Sequence, residues 1–242
     1  MATIPNSGAG NYFLILFSGT RREPLFETPA DRRALNKATI AALRRFDAKL
    51  HAYCLLPNHF RALVQIEDRL LPKAMRQIAS RYARYRQARF DSTGPLFERP
   101  FKAQRIVTDT DFLSALRSVH LSPVVANQVV DADDYRWSSH RAYLGYKSVT
   151  WITTDFGLSL LASDLAQARI AYNRFIVDGT QSENTSNGGD LQSSAPNELN
   201  PRDATNDPTS PPLDSSAPTQ KLLRRFARNR ARKSTRKFLS IY

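Results

Sequence analysis

The sequence has one cysteine, no long apolar run and no signal-peptide pattern. Cys54 therefore cannot form an internal disulfide or a thiolate metal cluster, which predicts a reducing, cytoplasmic compartment. Residues 1–10 do not combine a basic start with an apolar stretch, and no apolar run approaches the roughly 18–20 residues needed to cross a bilayer. These absences predict a protein that lacks disulfide bonds and a membrane span.

Acidic residues are too few to balance the basic ones. The 242 residues include 35 Lys and Arg against 22 Asp and Glu, a formal net charge of +13. This charge favours an anionic partner, nucleic acid before a membrane surface. Hydrophobic residues make up 41% of the chain, which is enough for a packed core.

The apolar pattern predicts a core of alternating strands and helices within residues 1–130. In chain order these are a buried central strand at 11–18, a helix from Thr28, two strands meeting at Pro57 and Asn58, a helix at 70–89, a strand at 101–107 and a helix from Thr108 to about His120. This order predicts a ferredoxin-like α+β fold, an antiparallel sheet with helices on one face. The other face would be open to a ligand.

Three regions follow the predicted core. Residues 131–177 predict a helical extension of the same domain, with Leu158, Leu161, Leu165 and Ile170 as its buried stripe. Residues 178–220 are rich in Ser, Asn, Asp and Pro, cannot bury enough apolar area to offset their ordering entropy, and predict a disordered linker. Residues 221–242 form a basic, amphipathic tail.

The tail has nine basic residues and no acidic one. Such a segment can coat nucleic acid, lie on an anionic membrane or dock on a partner, and we predict that it adds affinity for DNA without reading sequence. These nine charges, with a net −6 on the linker, leave +10 on residues 1–177. The tail alone does not explain the basic character.

The second of the two middle strands begins with a polar pair. His59 and Arg61 flank Phe60, so they share one face of the strand beside the turn. Two polar groups in this arrangement could hold a metal or a phosphate.

Four stretches resemble the single-tyrosine HUH transposases, most closely the REP-associated tyrosine transposases. They are LHAYCLLPNH at 50–59, GPLFERPFK at 94–102, VHLSPV at 119–124 and YRWSS at 135–139, in fitting order and separation. The resemblance extends from about residue 12 to 176 and implies the ferredoxin-like sheet. It also implies cutting and rejoining of single-stranded DNA, often beside short hairpins. In that reaction a tyrosine attacks the phosphodiester while a divalent metal polarises the phosphate. Members of the family can be dimers, so a homodimer is one expectation.

Three of the four active-site positions implied by the resemblance are changed. His59 matches the first metal histidine, Arg61 falls on the second, Ser118 on the nucleophilic tyrosine and Ser122 on the amide that completes the metal shell. Arginine stays protonated and cannot ligate a metal, and His59 alone is a poor site for Mg²⁺ or Mn²⁺. Serine needs an activating base to act as a nucleophile. We therefore predict impaired catalysis without a cofactor, with Mg²⁺ or Mn²⁺ required only if the site is active. Arg61 could still bind a phosphate.

Basic residues on the second helix predict a phosphate-binding surface, with a merely solvated face as the alternative. The predicted DNA contacts are Arg61, Arg76, Arg81, Arg84, Arg86, Arg89 and Lys102 in the core, and Arg224, Arg225 and Arg228 in the tail. Among the histidines, His51 is predicted to be packed, His120 to orient a helix end and His140 to face solvent.

The sequence thus predicts a DNA-binding protein of the transposase family that binds single-stranded or hairpin DNA. One alternative is an active transposase or nickase that uses Ser118 or Tyr85 as nucleophile, with Arg61 as the electrophile. Another is a regulator that binds RNA or a membrane surface, which fits the charge but draws no support from the core motifs.

Overall fold

The computed structural model describes residues 11–20, 24–90, 94–98, 101–146 and 149–186, with side chains as far as residue 179. The predicted basic tail, with Arg224, Arg225 and Arg228, lies outside these residues. So does the predicted linker beyond residue 186. The last described helix continues to Ser186, past the boundary predicted at residue 177.

Four antiparallel strands form one sheet in the order β2-β3-β1-β4. They are β1 (Asn11–Ser18), β2 (Lys49–Leu56), β3 (His59–Ile66) and β4 (Lys102–Ile106). β1 pairs with both β3 and β4, so the continuous apolar run forms a central strand. The predicted α+β class, with an antiparallel sheet, is confirmed.

Six α-helices accompany the sheet in the described part of the chain. They are α1 (Pro29–Arg45), α2 (Leu71–Phe90), α3 (Asp109–Val125), α4 (His140–Tyr143), α5 (Asp155–Ser159) and α6 (Leu165–Ser186). Thr108 caps α3 through a reciprocal pair of hydrogen bonds with Asp111. The helix passes the end predicted near His120 although Pro123 removes one backbone donor. The last turns are buried from Val119 to Pro123, and this packing favours continuation of the helix.

The helices lie on both faces of the sheet. Successive residues of β3 point to opposite faces, so Phe60 and Arg61 mark the two sides. From Phe60 an aromatic chain runs through Phe17 and Phe97 to Tyr82 of α2, while Arg61 reaches α3. α1 packs beside α2, so these two helices share one face as predicted. α3 lies on the opposite face, which is therefore not open along its whole length.

The helical extension packs through a stripe that differs from the predicted one. Leu158 is buried, but Leu165 and Ile170 are each 51% exposed. The buried hydrophobic residues of α6 are Ala168, Tyr172 and Ile176, which follow one another at intervals of four. The predicted stripe combined residues of α5, of the segment after it and of α6, and the helical phases of α5 and α6 are unrelated. None of the described helices has the length and apolar content of a membrane span.

Candidate functional site

The structure brings together Arg61, Ser118 and Ser122. The Nη1 atom of Arg61 donates hydrogen bonds to Ser118 O at 3.2 Å and to Ser122 Oγ at 2.8 Å. Its Nη2 atom donates to Ser118 Oγ at 3.3 Å. A single guanidinium from β3 is therefore held against α3 at the two positions implied for the nucleophile and the amide ligand.

The two serines present their oxygens to Arg61 because they lie four residues apart on one face of α3. Ser122 Oγ donates to Ser118 O at 2.6 Å, and Ser118 Oγ donates to Ala115 O at 3.0 Å. Both hydroxyl hydrogens are directed at helix carbonyls, and both oxygens accept from a cation. Among the contacts that the described residues make with Ser118 there is no imidazole or carboxylate. A serine nucleophile is activated by such a base, and none is hydrogen-bonded to Ser118 among the described residues.

His59 is the exposed first residue of β3 and lies on the same face as Arg61. A divalent metal does not fit this pair, because the guanidinium offers only N–H donors where the resemblance implies a second imidazole. Within the described ranges, no three His, Cys, Asp or Glu side chains are grouped as metal ligands. The Arg61 guanidinium gives this site a positive charge, which favours an anion over a metal cation.

Lys102 adds a second cation to the same face of the sheet. Leu16 of β1 is the register partner of both Arg61 and Lys102, so the three residues form one row across the sheet. Two strand spacings separate Arg61 from Lys102, a distance of about 10 Å. Lys102 is exposed at the edge of the sheet, where a phosphate could approach it.

Four of the five predicted DNA contacts on α2 are exposed, but Arg86 is not. Arg76, Arg81, Arg84 and Arg89 are on the surface. Arg86 is 1% exposed, and the prediction that it contacts DNA is wrong. It follows Tyr82 by four residues and therefore falls on the buried side of the helix. That spacing was the sequence signal for its burial.

The buried partner of Arg86 is Asp31, which the sequence reading did not assign. Arg86 Nη1 lies 3.6 Å from Asp31 Oδ2, and Arg86 Nη2 donates to Glu27 Oε1 at 2.7 Å. The Asp31 carboxylate accepts from the backbone N–H groups of Thr28 at 2.7 Å and Glu27 at 3.0 Å. Burial tends to raise the pKa of Asp31, but hydrogen bonds, from Thr28 first, hold it below the usual value. Its place three residues after the Thr28 cap was the signal for this role.

Tyr85 and Arg61 lie on opposite faces of the sheet. Tyr85 donates through its hydroxyl to Asp31 Oδ1 at 3.1 Å and accepts from Arg89 at 3.2 Å. It stacks on Tyr82 of α2, on the face of the sheet opposite to Arg61. The sheet itself separates the two groups, so the structure does not bring together Tyr85 and Arg61 of one chain as this alternative requires.

A buried chain of polar groups joins α3, α4 and α6. Ser139 Oγ is 2.7 Å from His120 Nε2. Tyr172 OH lies 2.7 Å from His120 Nδ1 and 2.6 Å from His140 Nδ1. At the end of the chain, His140 Nε2 is 2.9 Å from Asp133. His140 is 2% exposed, so the prediction that it faces solvent is wrong. Burial, aided by the charge of His140, lowers the pKa of His120 well below its usual value. The chain ties the helical extension to α3, away from the Arg61 guanidinium.

The fold has a counterpart of known function. A REP-associated tyrosine transposase, solved bound to a REP hairpin, superposes with a TM-score of 0.50 at 17% identity over 60% of this chain and 86% of that one. The likeness shows that this chain has the fold of the single-tyrosine transposases. At this identity it shows the fold alone.

Two other solved structures overlap less well. A candidate transposase of Deinococcus radiodurans R1 is 16% identical over 53% of this chain and 92% of its own, with a TM-score of 0.34. The tRNA(His) guanylyltransferase of Saccharomyces cerevisiae is 8% identical over 69% and 78%, with a TM-score of 0.35. Neither overlap supports a functional inference. No family model and no curated protein matches the sequence.

Proposed function

We propose that the chain is a cytoplasmic DNA-binding protein derived from a REP-associated tyrosine transposase, with little or no strand-transfer activity. The observation that carries the proposal is the Arg61 guanidinium, hydrogen-bonded to both Ser118 and Ser122. A cation occupies the place of a metal ligand, and a serine without a base occupies the place of the nucleophile. The REP hairpin bound to the similar transposase supports hairpin DNA as the partner.

The chemistry of strand cleavage explains why these changes matter. The reaction needs a nucleophilic oxygen and positive charge placed on the scissile phosphate. Arg61 supplies charge, but its hydrogen bonds to α3 compete with those that a phosphate would accept. Ser118 directs its proton at a backbone carbonyl. The site therefore retains an electrostatic attraction for phosphate without an activated oxygen to attack it.

We expect no cleavage and no covalent adduct when the protein is incubated with a labelled single strand that carries a hairpin, in Mg²⁺ or Mn²⁺. The measurement is denaturing electrophoresis of the labelled DNA. Ser114→Ala serves as the matched control for Ser118→Ala, because Ser114 is an exposed serine of the same helix. A denaturant-stable adduct that persists in Ser114→Ala and disappears in Ser118→Ala would show that the enzyme is active.

The triple variant Arg61→His, Ser118→Tyr and Ser122→Asn is expected to gain an adduct in Mn²⁺ where the unaltered protein gives none. It replaces the guanidinium with a metal-binding imidazole and restores an amide and a phenol to α3. The matched control carries Ser118→Phe instead of Ser118→Tyr and should give no adduct. A folded triple variant without any adduct would contradict the assignment of these three positions as the ancestral site.

A further inference from the structure

α1 and α2 form a layer over the face of the sheet opposite to Arg61. They run antiparallel, because Asp31 in the first turn of α1 meets Tyr85 near the end of α2. Near the other end of α1, Arg45 donates to Gln77 of α2 at 3.3 Å. The outer side of this helix pair is a continuous surface that the Arg61 site does not share.

The exposed charges of this layer have one sign. Its exposed basic side chains, here called the α1–α2 surface, are Arg33, Lys37, Arg44, Arg45, Lys73, Arg76, Arg81, Arg84 and Arg89. The sequences of the two helices contain one acidic residue, Asp31, and that side chain is 0% exposed. The α1 half of this surface was not foreseen from the sequence, where only the second helix was assigned to DNA.

No ion pair between described residues includes a cation of the α1–α2 surface. Two exposed cations elsewhere meet a carboxylate, Arg69 with Glu67 and Arg105 with Asp68. On the α1–α2 surface, Arg45 and Arg89 hydrogen-bond to neutral groups, and none of the nine cations takes part in an ion pair between described residues. Crowded like charges repel one another, so an anionic partner would relieve an unfavourable interaction as well as add a favourable one.

The cations are arranged in two rows. Arg33, Lys37 and Arg44 lie along one side of α1 at intervals of four and seven residues, and Lys73, Arg76 and Arg84 follow the outer side of α2. The two ends of each row are eleven residues apart, a length of about 16 Å. Packed helices are about 8–10 Å apart. This separation falls between the widths of the minor groove, about 6 Å, and the major groove, about 12 Å.

We propose that the α1–α2 surface binds the two phosphate backbones of a double-stranded DNA stem, on the side of the protein opposite to Arg61. The inference rests on the proposed DNA-binding function and adds the location, the duplex form of the ligand and the contribution of α1. Two rows of cations on neighbouring helices would each contact one of the two backbones that border a groove, whereas a single strand offers one row of phosphates. Such contacts position the duplex without reading its bases, so the stem sequence should have little influence.

The test compares two full-length triple variants with the same change in net charge. Arg33→Gln, Lys37→Gln and Arg44→Gln remove the α1 row, and the control removes Arg105, Arg141 and Arg174, which are exposed outside α1 and α2. Affinity for a labelled hairpin is measured between about 50 and 200 mM salt. We expect the α1 variant to bind on the order of tenfold more weakly. Its log K should change less steeply with log salt, by about two to three in slope, while the control changes neither by more than a fraction of that.

The outcomes separate this inference from the proposed function. Equal slopes for the two triple variants would overturn the contribution of α1 and with it the contact to two backbones. The proposed DNA binding would still stand if the unaltered protein bound the hairpin with a salt-dependent affinity. Failure of the unaltered protein to bind any hairpin would overturn both. An unstructured strand of equal length that bound as tightly as the hairpin would overturn the duplex ligand. Loss of binding to anionic phosphatidylserine vesicles in the α1 variant, with hairpin affinity unchanged, would assign the surface to a membrane instead.

Discussion

Replacing Asp31 with alanine is expected to lower the free energy of unfolding by about 3–5 kcal/mol, the cost of leaving a buried charge without its partner. Arg86 is 1% exposed, and the one carboxylate still paired with it among the described residues would be Glu27, which lies at the surface. The substitution also removes the hydrogen bond that the Asp31 carboxylate accepts from the backbone of Thr28 at the start of α1. Loss of such a capping bond accounts for about 1 kcal/mol of the expected change. Denaturant-induced unfolding measures the difference.

Two controls separate the buried charge from ordinary side-chain loss. Glu67→Ala breaks the exposed pair with Arg69 and should cost no more than about 1 kcal/mol. Adding Arg86→Met to Asp31→Ala removes the unpaired cation, so the double variant should be more stable than the single one. A double variant that is no more stable than Asp31→Ala would show that the charge is not the cause.

The Asp31 carboxylate also makes the free energy of unfolding depend on pH in the acid range. Because hydrogen bonds lower the pKa of folded Asp31 below its unfolded value of about 3.9, the carboxylate stabilises the fold fully above that value. This contribution is lost as the pH falls through the lower folded pKa. In Asp31→Ala the corresponding part of the acid transition should be absent.

The second large effect is a loss of stability as the pH falls below about 6.5, the pKa of histidine in an unfolded chain. Burial lowers the pKa of His51 to about 4 and that of His120 well below its usual value. Between the folded and unfolded pKa values the unfolded chain binds protons that the folded chain does not, so stability rises with pH in this window and is complete above it. Each histidine contributes up to about 1.4 kcal/mol per pH unit, measured as the free energy of unfolding at a series of pH values.

His51→Phe is the variant that tests this account. His51 packs against Tyr12, Phe112 and Phe156, with ring centroids 5.3, 5.3 and 6.0 Å away, so a phenyl ring can take its place. The pH dependence should become shallower by about one proton, while His59→Gln controls for loss of a histidine at the surface. Stability that does not change between pH 7 and about 5 would contradict the buried neutral state of both rings.

The sequence predicts the strands better than the surroundings of the helices, for physical reasons. The run of β1 is apolar on both faces, so its bounds are visible locally, and those predicted for it are those observed. Arg86 was placed on the surface because a charged residue is buried only when it has a partner. That partner, Asp31, is far away in the chain and becomes its neighbour only when α1 packs on α2. Local spacing suggested burial, but the sequence pattern does not say which side chain would neutralise the charge.

In the candidate site, too, the sequence predicts which residues come together but not how their side chains are oriented. The grouping of Arg61, Ser118 and Ser122 followed from a family resemblance, and the structure places these residues within hydrogen-bonding distance. The direction of the guanidinium towards α3 could not be predicted, because it depends on the packing of that helix against β3. His140 was misplaced for a related reason, since its burial depends on Tyr172 from α6. Contacts between distant elements are the part that pattern alone does not supply.

The central position of β1 has a consequence for folding during synthesis. β1 leaves the ribosome before the other described strands, yet Asn11 pairs with Ile66 and Leu16 with Lys102, so neither neighbour exists when it emerges. Closing such long loops precedes any gain from pairing, which makes these contacts slow to form. Until residue 106 has been made, one edge of β1 presents unpaired backbone groups. A chain interrupted before β4 would therefore carry an apolar, open-edged strand at its centre, the form of an unfinished protein most prone to aggregate.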